Sequence, residues 1–197
     1  MPPDASAIAE VLAGNPESFG LIVDRYEQAL LRVAFSRLGQ RDRAEEAVQE
    51  TFFNAFRSLH TYDSRYSFRT WLWTILLNQC RRQYQKSQRK PTTISWESVD
   101  FDDGPMPHPA DASTPDAVAI SREKKAVLEA LLTKLPPSQA DALRLRFYGG
   151  LKYQEIADTT HCSLSTAKNR VREGLLRLSE HLHRDEPLRN SLLGDSR

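Results

Sequence analysis

Lys168, Asn169, Arg170 and Arg172 crowd one short stretch near the C-terminal end of the chain, with Ser165 and Thr166 just ahead of them. Arg and Lys pair with phosphate or with guanine O6 and N7, and Asn reads adenine, so a helix carrying these side chains fits the major groove of DNA. The surrounding sequence supplies that helix. LRLRFYGGLKYQEIADTTHCSLSTAKNRVREGLLRL, Leu143–Leu178, reads as a helix, a break at Gly149-Gly150, and a helix-turn-helix. Its first short helix runs from about Lys152 to Thr159 with Ile156 and Ala157 inward. The second opens at Ser163 or Ser165, either of which can cap the first backbone N–H groups. His161 falls in the turn, where a left-handed backbone is expected. On an ordinary helical hairpin the same cations would form only a solvated face, and the motif by itself does not separate the two.

Other chemistry finds little to stand on. The sequence has no Gly-rich phosphate loop, no nucleophile elbow and no His/carboxylate cluster, and His60, His108, His161, His181 and His183 lack metal-ligand spacing. No enzymatic activity, cofactor or metal is expected. Cys80 and Cys162 form no CxxC pair and are expected to be buried, reduced thiols. No stretch approaches the roughly eighteen apolar residues of a membrane span, and no secretory leader is evident, so the expected location is the cytoplasm, without membrane insertion.

The formal net charge of +1 over 197 residues hides an asymmetry. Tyr66 to Lys90 holds Arg69, Arg81, Arg82, Lys86, Arg89 and Lys90 without a carboxylate, whereas Glu97 to Asp116 holds Glu97, Asp100, Asp102, Asp103, Asp111 and Asp116 without Lys or Arg. One region is suited to polyanions and the other repels them.

The elements that must position these groups are helices. Phe19, Ile22, Val23, Tyr26, Leu30 and Val33 recur at steps of three and four, as do Ala44, Ala47, Val48, Thr51, Phe52, Ala55 and Phe56. Asp42 with Glu45 three residues on resembles a capping box at the start of the second stripe. A third helix starts near Phe68, burying Leu72, Ile75 and Leu76 and projecting Arg81, Arg82 and Lys86. Pro91, Pro105, Pro107, Pro109 and Pro115 interrupt this pattern among the acidic residues and mark a flexible Pro/Asp-rich linker. Another helix is expected from Asp116 or Ser121 to before Pro136-Pro137. The expected fold is all-α: two small helical domains joined by that linker, the C-terminal one a helix-turn-helix.

AEEAVQETFFNAFR (Ala44–Arg57), YSFRTWLWTILLNQCRR (Tyr66–Arg82) and the terminal helix-turn-helix, in this order around a Pro/Asp linker, resemble a bacterial RNA polymerase sigma factor of the extracytoplasmic-function type. The resemblance covers nearly the whole chain. It implies a tail over 1–17, a region 2 domain over 18–90, a linker over 91–118, a region 4 domain over 119–183 and a second tail over 184–197. It also implies core RNA polymerase and promoter DNA as partners, with an anti-sigma factor, and a role in transcription initiation under stress or envelope signals. A stand-alone helix-turn-helix regulator is the alternative, but it would add a ligand-binding or dimerisation domain.

Carried over residue by residue, the resemblance assigns Glu45, Glu46, Gln49 and Glu50 to polymerase docking. Tyr62, Tyr66 and Phe68 become aromatic surface for a base extruded from the minus-ten element, and Asn78 matches a characteristic Asn that holds such a base. Arg81, Arg82, Lys86 and Arg89 follow the adjoining phosphates, and Trp71 is given a structural role. Ser165, Thr166, Lys168, Asn169, Arg170 and Arg172 fall in the minus-thirty-five reader. There, helical spacing puts Thr166, Asn169 and Arg170 at base edges and Lys168 and Arg172 at phosphates. The sequence departs from the family pattern at His161, where Gly is common, and at Ala167, where a larger aliphatic residue is common.

Overall fold

The computed structural model describes residues 3–88 and 126–184. The expected linker, the helix start at Asp116 or Ser121, Arg89, and the C-terminal tail beyond Arg184 lie outside the described residues. Regular structure among the described residues is helical: α1 Pro3–Leu12, α2 Gly20–Leu38, α3 Arg41–Arg57, α4 Phe68–Gln88, α5 with residues 126–133, α6 Pro137–Phe147, α7 Tyr153–Thr159 and α8 Leu164–Arg184. Short 3-10 turns at Pro16–Phe19 and Leu59–Thr61 link the earlier helices. Contacts group residues 3–88 and 144–168 into one compact unit, and 126–143 and 169–184 into another.

In the first unit, α2, α3 and α4 pack on one another along their apolar stripes. Ile22, Leu30 and Val33 of α2, Ala44, Ala47 and Ala55 of α3, and Leu72, Trp73 and Leu76 of α4 are fully withdrawn from solvent. Each such Leu, Ile or Val contributes about 1.5–3 kcal/mol by leaving water, whereas the alanines let the helices approach closely. Of the expected stripes, Val23 and Ile75 are only half-buried, and Phe56 is exposed while touching Phe19 edge-on at 5.2 Å between ring centroids. The segment 1–17 holds more than a tail. α1 buries Ala7 and Ile8 and ties itself to α2 through Asp4, which accepts hydrogen bonds from Arg25 and from Tyr26.

The expected capping box on α3 is not formed. The helix begins at Arg41, with extended Gln40 ahead of it, so Asp42 lies inside the first turn. Glu45 turns instead to Arg41, accepting its Nε–H at 2.6 Å. α2 closes on Gly39, whose φ of 69° frees its N–H to donate to the Phe35 carbonyl at 2.8 Å.

Within the same unit, the Gly149-Gly150 break is packed against the start of α4. Arg69 donates to the Gly149 carbonyl at 2.6 Å and pairs with Glu155 at 3.7 Å. A side chain at Gly149 would press within 2.8 Å of the Leu145 carbonyl, which explains a glycine with no Cβ at the break. In the second unit, Gly174 lets α8 approach α6. A Cβ there would come within 2.9 Å of Leu143, and Gln139 donates to Glu173 across the same contact at 3.0 Å.

Candidate nucleic-acid interface

The helix-turn-helix is built from local bonds. At its start the Lys152 N–H donates to the Glu155 carboxylate at 2.7 Å, while Ile156 and Ala157 are buried as expected. Beyond α7, His161 N–H donates to the Asp158 carbonyl at 3.3 Å and Cys162 N–H to the Ala157 carbonyl at 2.9 Å. This pair of bonds is a Schellman closure, and it holds His161 at φ 50°, a left-handed position that Gly takes without strain. Of the alternative caps, Ser163 is the one used: its Oγ accepts the Thr166 N–H at 3.1 Å. The hydroxyls of Ser165 and Thr166 lie 2.9 and 2.8 Å from the same oxygen.

Ala167, Val171, Gly174 and Leu178 are buried and mark the inward stripe of α8. Opposite them, at the same steps of four, three and four, Ser165, Asn169, Arg172 and Leu176 form an exposed ridge. The expected base-reading set does not lie together on this ridge. Thr166 and Arg170 are half-buried on one flank, because Arg170 immediately precedes inward Val171, and exposed Lys168 lies on the other flank. Arg172, expected at phosphates, shares the outermost ridge with Asn169.

On α4 the inward face is Leu72, Trp73, Leu76, Cys80 and Gln83, which leaves Asn78, Arg81 and Gln85 exposed on the far side at helical spacing. Arg82 is exposed beside them, as is Tyr84, an aromatic side chain that the sequence pattern did not single out. The loop before α4 is internally bonded. The Tyr62 hydroxyl donates to the Tyr66 carbonyl at 2.6 Å, and Arg65 grips the Asp63 carboxylate through its Nε and Nη2. Tyr66 is 68% exposed.

Phe68 does not share that exposure. At 4% exposed it is a core residue, because as the first residue of α4 it turns inward between Tyr26, Tyr62 and Trp71. It therefore supports the loop instead of offering surface to a base. Tyr62 is half-buried over Phe68 and Trp71, at 5.4 and 5.5 Å between centroids. Burial pushes its hydroxyl pKa upward, with the nearby Asp4 and Asp63 charges adding to the rise. Trp71 joins this cluster and Trp73 is wholly enclosed.

Glu46, Gln49 and Glu50 are exposed on α3, and Glu45 is half-buried against Arg41. Phe53 continues this face and is 58% exposed. The adjacent Phe52-Phe53 pair carried the signal: Phe52 falls on the inward stripe with Val48 and Ala55, which turns Phe53 outward. Glu46 and Lys86, expected on different surfaces, meet: Lys86 Nζ lies 3.1 Å from the Glu46 carboxylate. A hydrogen bond from Gln83, and then Lys86, hold the Glu46 carboxyl below the usual carboxylate range.

Cys80 is buried, whereas Cys162 is half-buried with its Sγ 3.3 Å from the Thr160 hydroxyl. Among the described residues no His, Cys, Asp and Glu group is placed to hold a metal ion, and no helix is long and apolar enough to cross a membrane.

A helix-turn-helix with an Asn/Arg ridge, together with a second Asn/Arg ridge preceded by an aromatic loop, is the pattern of a helical DNA-binding protein. The family models of Sigma-70 region 2 and Sigma-70, region 4 match residues 22–90 and 125–178. The ECF RNA polymerase sigma factor SigX of Bacillus subtilis (strain 168) is 30% identical over 183 residues, spanning 91% of this chain and 89% of that protein. The chain belongs to the extracytoplasmic-function family of RNA polymerase sigma factors. Its fold is also that of CnrH, solved in complex with the cytosolic domain of CnrY, with a TM-score of 0.70 at 24% identity over 92% of this chain and 98% of the other. The sigma factor RpoE, solved with the anti-sigma factor NepR from Bartonella quintana, gives a TM-score of 0.59 at 25% identity over 92% of this chain and 99% of the other.

Proposed function

We propose that this sigma factor divides promoter recognition between the surfaces just described. Residues 18–90 dock on core polymerase and read and open the minus-ten element, 119–183 read the minus-thirty-five element, and 91–118 connect them. The α3 face of Glu45, Glu46, Gln49 and Glu50, extended by Phe53, meets the polymerase. Tyr66 and Asn78 take the extruded base, with Tyr62 bracing the Tyr66 backbone and Phe68 supporting Tyr62, while Arg81, Arg82 and Lys86 follow phosphates. On α8, Asn169 and Arg172 face base edges, with Ser165, Thr166, Lys168 and Arg170 flanking them along the backbone.

The observation that carries this reading is the order of the two matched regions, each contributing one exposed Asn/Arg ridge. It disfavours a stand-alone regulator, since the segment ahead of the helix-turn-helix matches a sigma region. The protein acts in the cytoplasm without catalysis of its own. An anti-sigma protein belongs among its partners, a view supported by the RpoE–NepR complex.

Run-off transcription with core polymerase and a promoter library tests the proposal. The chain should confer initiation on a subset defined by both elements, and no initiation above core polymerase alone would overturn it. Glu50→Lys, alone and with Glu46→Lys, should weaken core binding at moderate salt while circular dichroism stays unchanged. Equal affinity would remove the docking assignment.

A further inference from the structure

Asp4 lies in the first turn of α1, outside the 22–90 segment matched by region 2, and is only 8% exposed. An enclosed carboxylate is costly unless it is held, and this one is held on both oxygens. Arg25 donates to Oδ1, and the buried Tyr26 hydroxyl donates to Oδ2 at 2.7 Å. From Tyr26 a chain of contacts leads to the minus-ten loop. Its ring lies 6.4 Å from Phe68, Phe68 lies 5.4 Å from Tyr62, and the Tyr62 hydroxyl donates to the Tyr66 carbonyl at 2.6 Å. α1 also packs against the Leu59–Thr61 turn that leads into the loop. Exposed Tyr66 therefore stands at the end of a network whose other end is anchored by α1.

We propose that Asp4 is a positioning residue for the loop from Tyr62 to Ser67: by holding Arg25 and Tyr26 it fixes the cluster of tilted and edge-on rings whose Tyr62 hydroxyl holds the Tyr66 backbone, and so sets how readily the loop captures an extruded promoter base. The proposal rests on the assignment of that loop to minus-ten opening. An extruded base has already lost its stacking, and a loop that must also be ordered at that moment captures it less often. A loop ordered in advance avoids that second cost. Asp4 touches no DNA in this scheme and acts only through Tyr26, Phe68 and Tyr62.

The test uses the full chain assembled with core polymerase and compares a duplex promoter with one whose minus-ten element is mismatched and already open. Asp4→Ala and Tyr26→Phe, the latter keeping the ring but removing the donor, should each slow open-complex formation on the duplex roughly three- to tenfold. Both should match the parent on the mismatched promoter and in core affinity. The double variant should be no slower than Asp4→Ala, since both break one link. Parent-like opening of the duplex by both variants overturns the proposal. So does an equal loss on both promoters accompanied by weaker core binding, which would mark Asp4 as merely holding the fold. Tyr66→Ala and Asn78→Ala serve as controls for the underlying assignment. If they open duplex normally, the loop assignment fails and the Asp4 proposal falls with it; if they are impaired while Asp4→Ala and Tyr26→Phe are not, only the Asp4 proposal fails.

Discussion

The two exposed ridges proposed to face DNA are made of the same side chains on different foundations. On α8, Asn169 and Arg172 stand on a helix whose inward stripe includes Ala167, Val171 and Gly174, and whose start is pinned by the Ser163 hydroxyl. On α4, Asn78 and Arg81 stand above a large-residue core of Leu72, Trp73 and Leu76, and the helix is preceded by a loop built on Tyr62, Phe68 and Trp71. Duplex DNA presents its base edges in the major groove, so reading it requires only a ridge held at the right angle. Opening it requires somewhere for a base to go once it leaves the stack, and aromatic faces supply that place. The heavier foundation under α4 matches the harder task.

That contrast is tested most severely at the loop. Tyr66→Ala removes a stacking face and Asn78→Ala a hydrogen-bonding partner, each worth about 1–3 kcal/mol, or roughly five- to 150-fold. Both losses should appear as slow open-complex formation on duplex promoters and shrink on promoters mismatched at the minus-ten element. A permanganate footprint over the minus-ten thymines would follow the opening directly. If either variant were equally impaired on both templates, the residue would serve binding and not opening, and the contrast between the ridges would dissolve.

Effects at α8 should be of another kind. Asn169→Ala and Arg172→Ala should relax base preference at one or two minus-thirty-five positions by about 1–3 kcal/mol, without altering opening of a mismatched minus-ten element. Lys168→Ala should weaken all sequences alike and lower the salt slope by about one. Holoenzyme binding to single-base promoter variants at several salt concentrations measures both. Because Arg170 is half-buried beside Val171, Arg170→Ala should leave base preference intact. A change of preference in Arg170→Ala with none in Arg172→Ala would show that α8 meets DNA rotated from its exposed ridge.

How much of this was legible in the sequence differed between the same regions. Periodicity located most of the buried residues of α2, α3 and α4, missing at Val23, Phe56 and Ile75, and the Ser/His turn chemistry located the helix-turn-helix, because those signals are local. The register of α8 was harder to read. Three polar side chains in a row, with Arg172 just beyond, offer more than one ridge, and only the burial of Ala167 and Val171 decides among them. The Glu46–Lys86 pair and the Asp4–Tyr26 bond join residues forty and twenty-two positions apart, beyond any helical spacing. Phe68 illustrates the same limit. Its type suited a base, but the turn into α4 drove it inward.

The helix-turn-helix itself offers a prediction that the loop region does not share. His161 occupies the left-handed position of the Schellman closure at φ 50°, where a Cβ costs about 1–2 kcal/mol relative to Gly. Gly also gains freedom in the unfolded chain, which offsets part of the relief. His161→Gly should therefore raise stability by somewhat under 1 kcal/mol, seen as a higher midpoint in urea with unchanged slope. Minus-ten opening should be unaffected. A lower midpoint would mean that the imidazole makes contacts outweighing the strain.

The smallest expected effect lies where docking face and DNA helix touch. Glu46 is held below its ordinary pKa of 4.5, first by the Gln83 hydrogen bond and then by Lys86. A lowered folded value means that the unfolded chain binds this proton more readily. The pair's contribution is therefore full above about pH 4.5 and drains away as pH falls through the folded value. Both side chains are largely in water, 71% exposed for Lys86 and 46% for Glu46, which limits the pair to about 0–1 kcal/mol and makes it sensitive to salt. Glu46→Gln should accordingly lower stability slightly near neutral pH and make the decline between about pH 5 and pH 3 shallower than in the parent. The part due to Lys86 should fade in roughly 1 M salt, where screening reaches across the pair, whereas the part due to the Gln83 hydrogen bond should persist. Urea denaturation across that pH range provides the measurement. If the two curves run parallel throughout, neither Gln83 nor Lys86 holds the Glu46 carboxylate in solution, and α3 and α4 are without this ionic link.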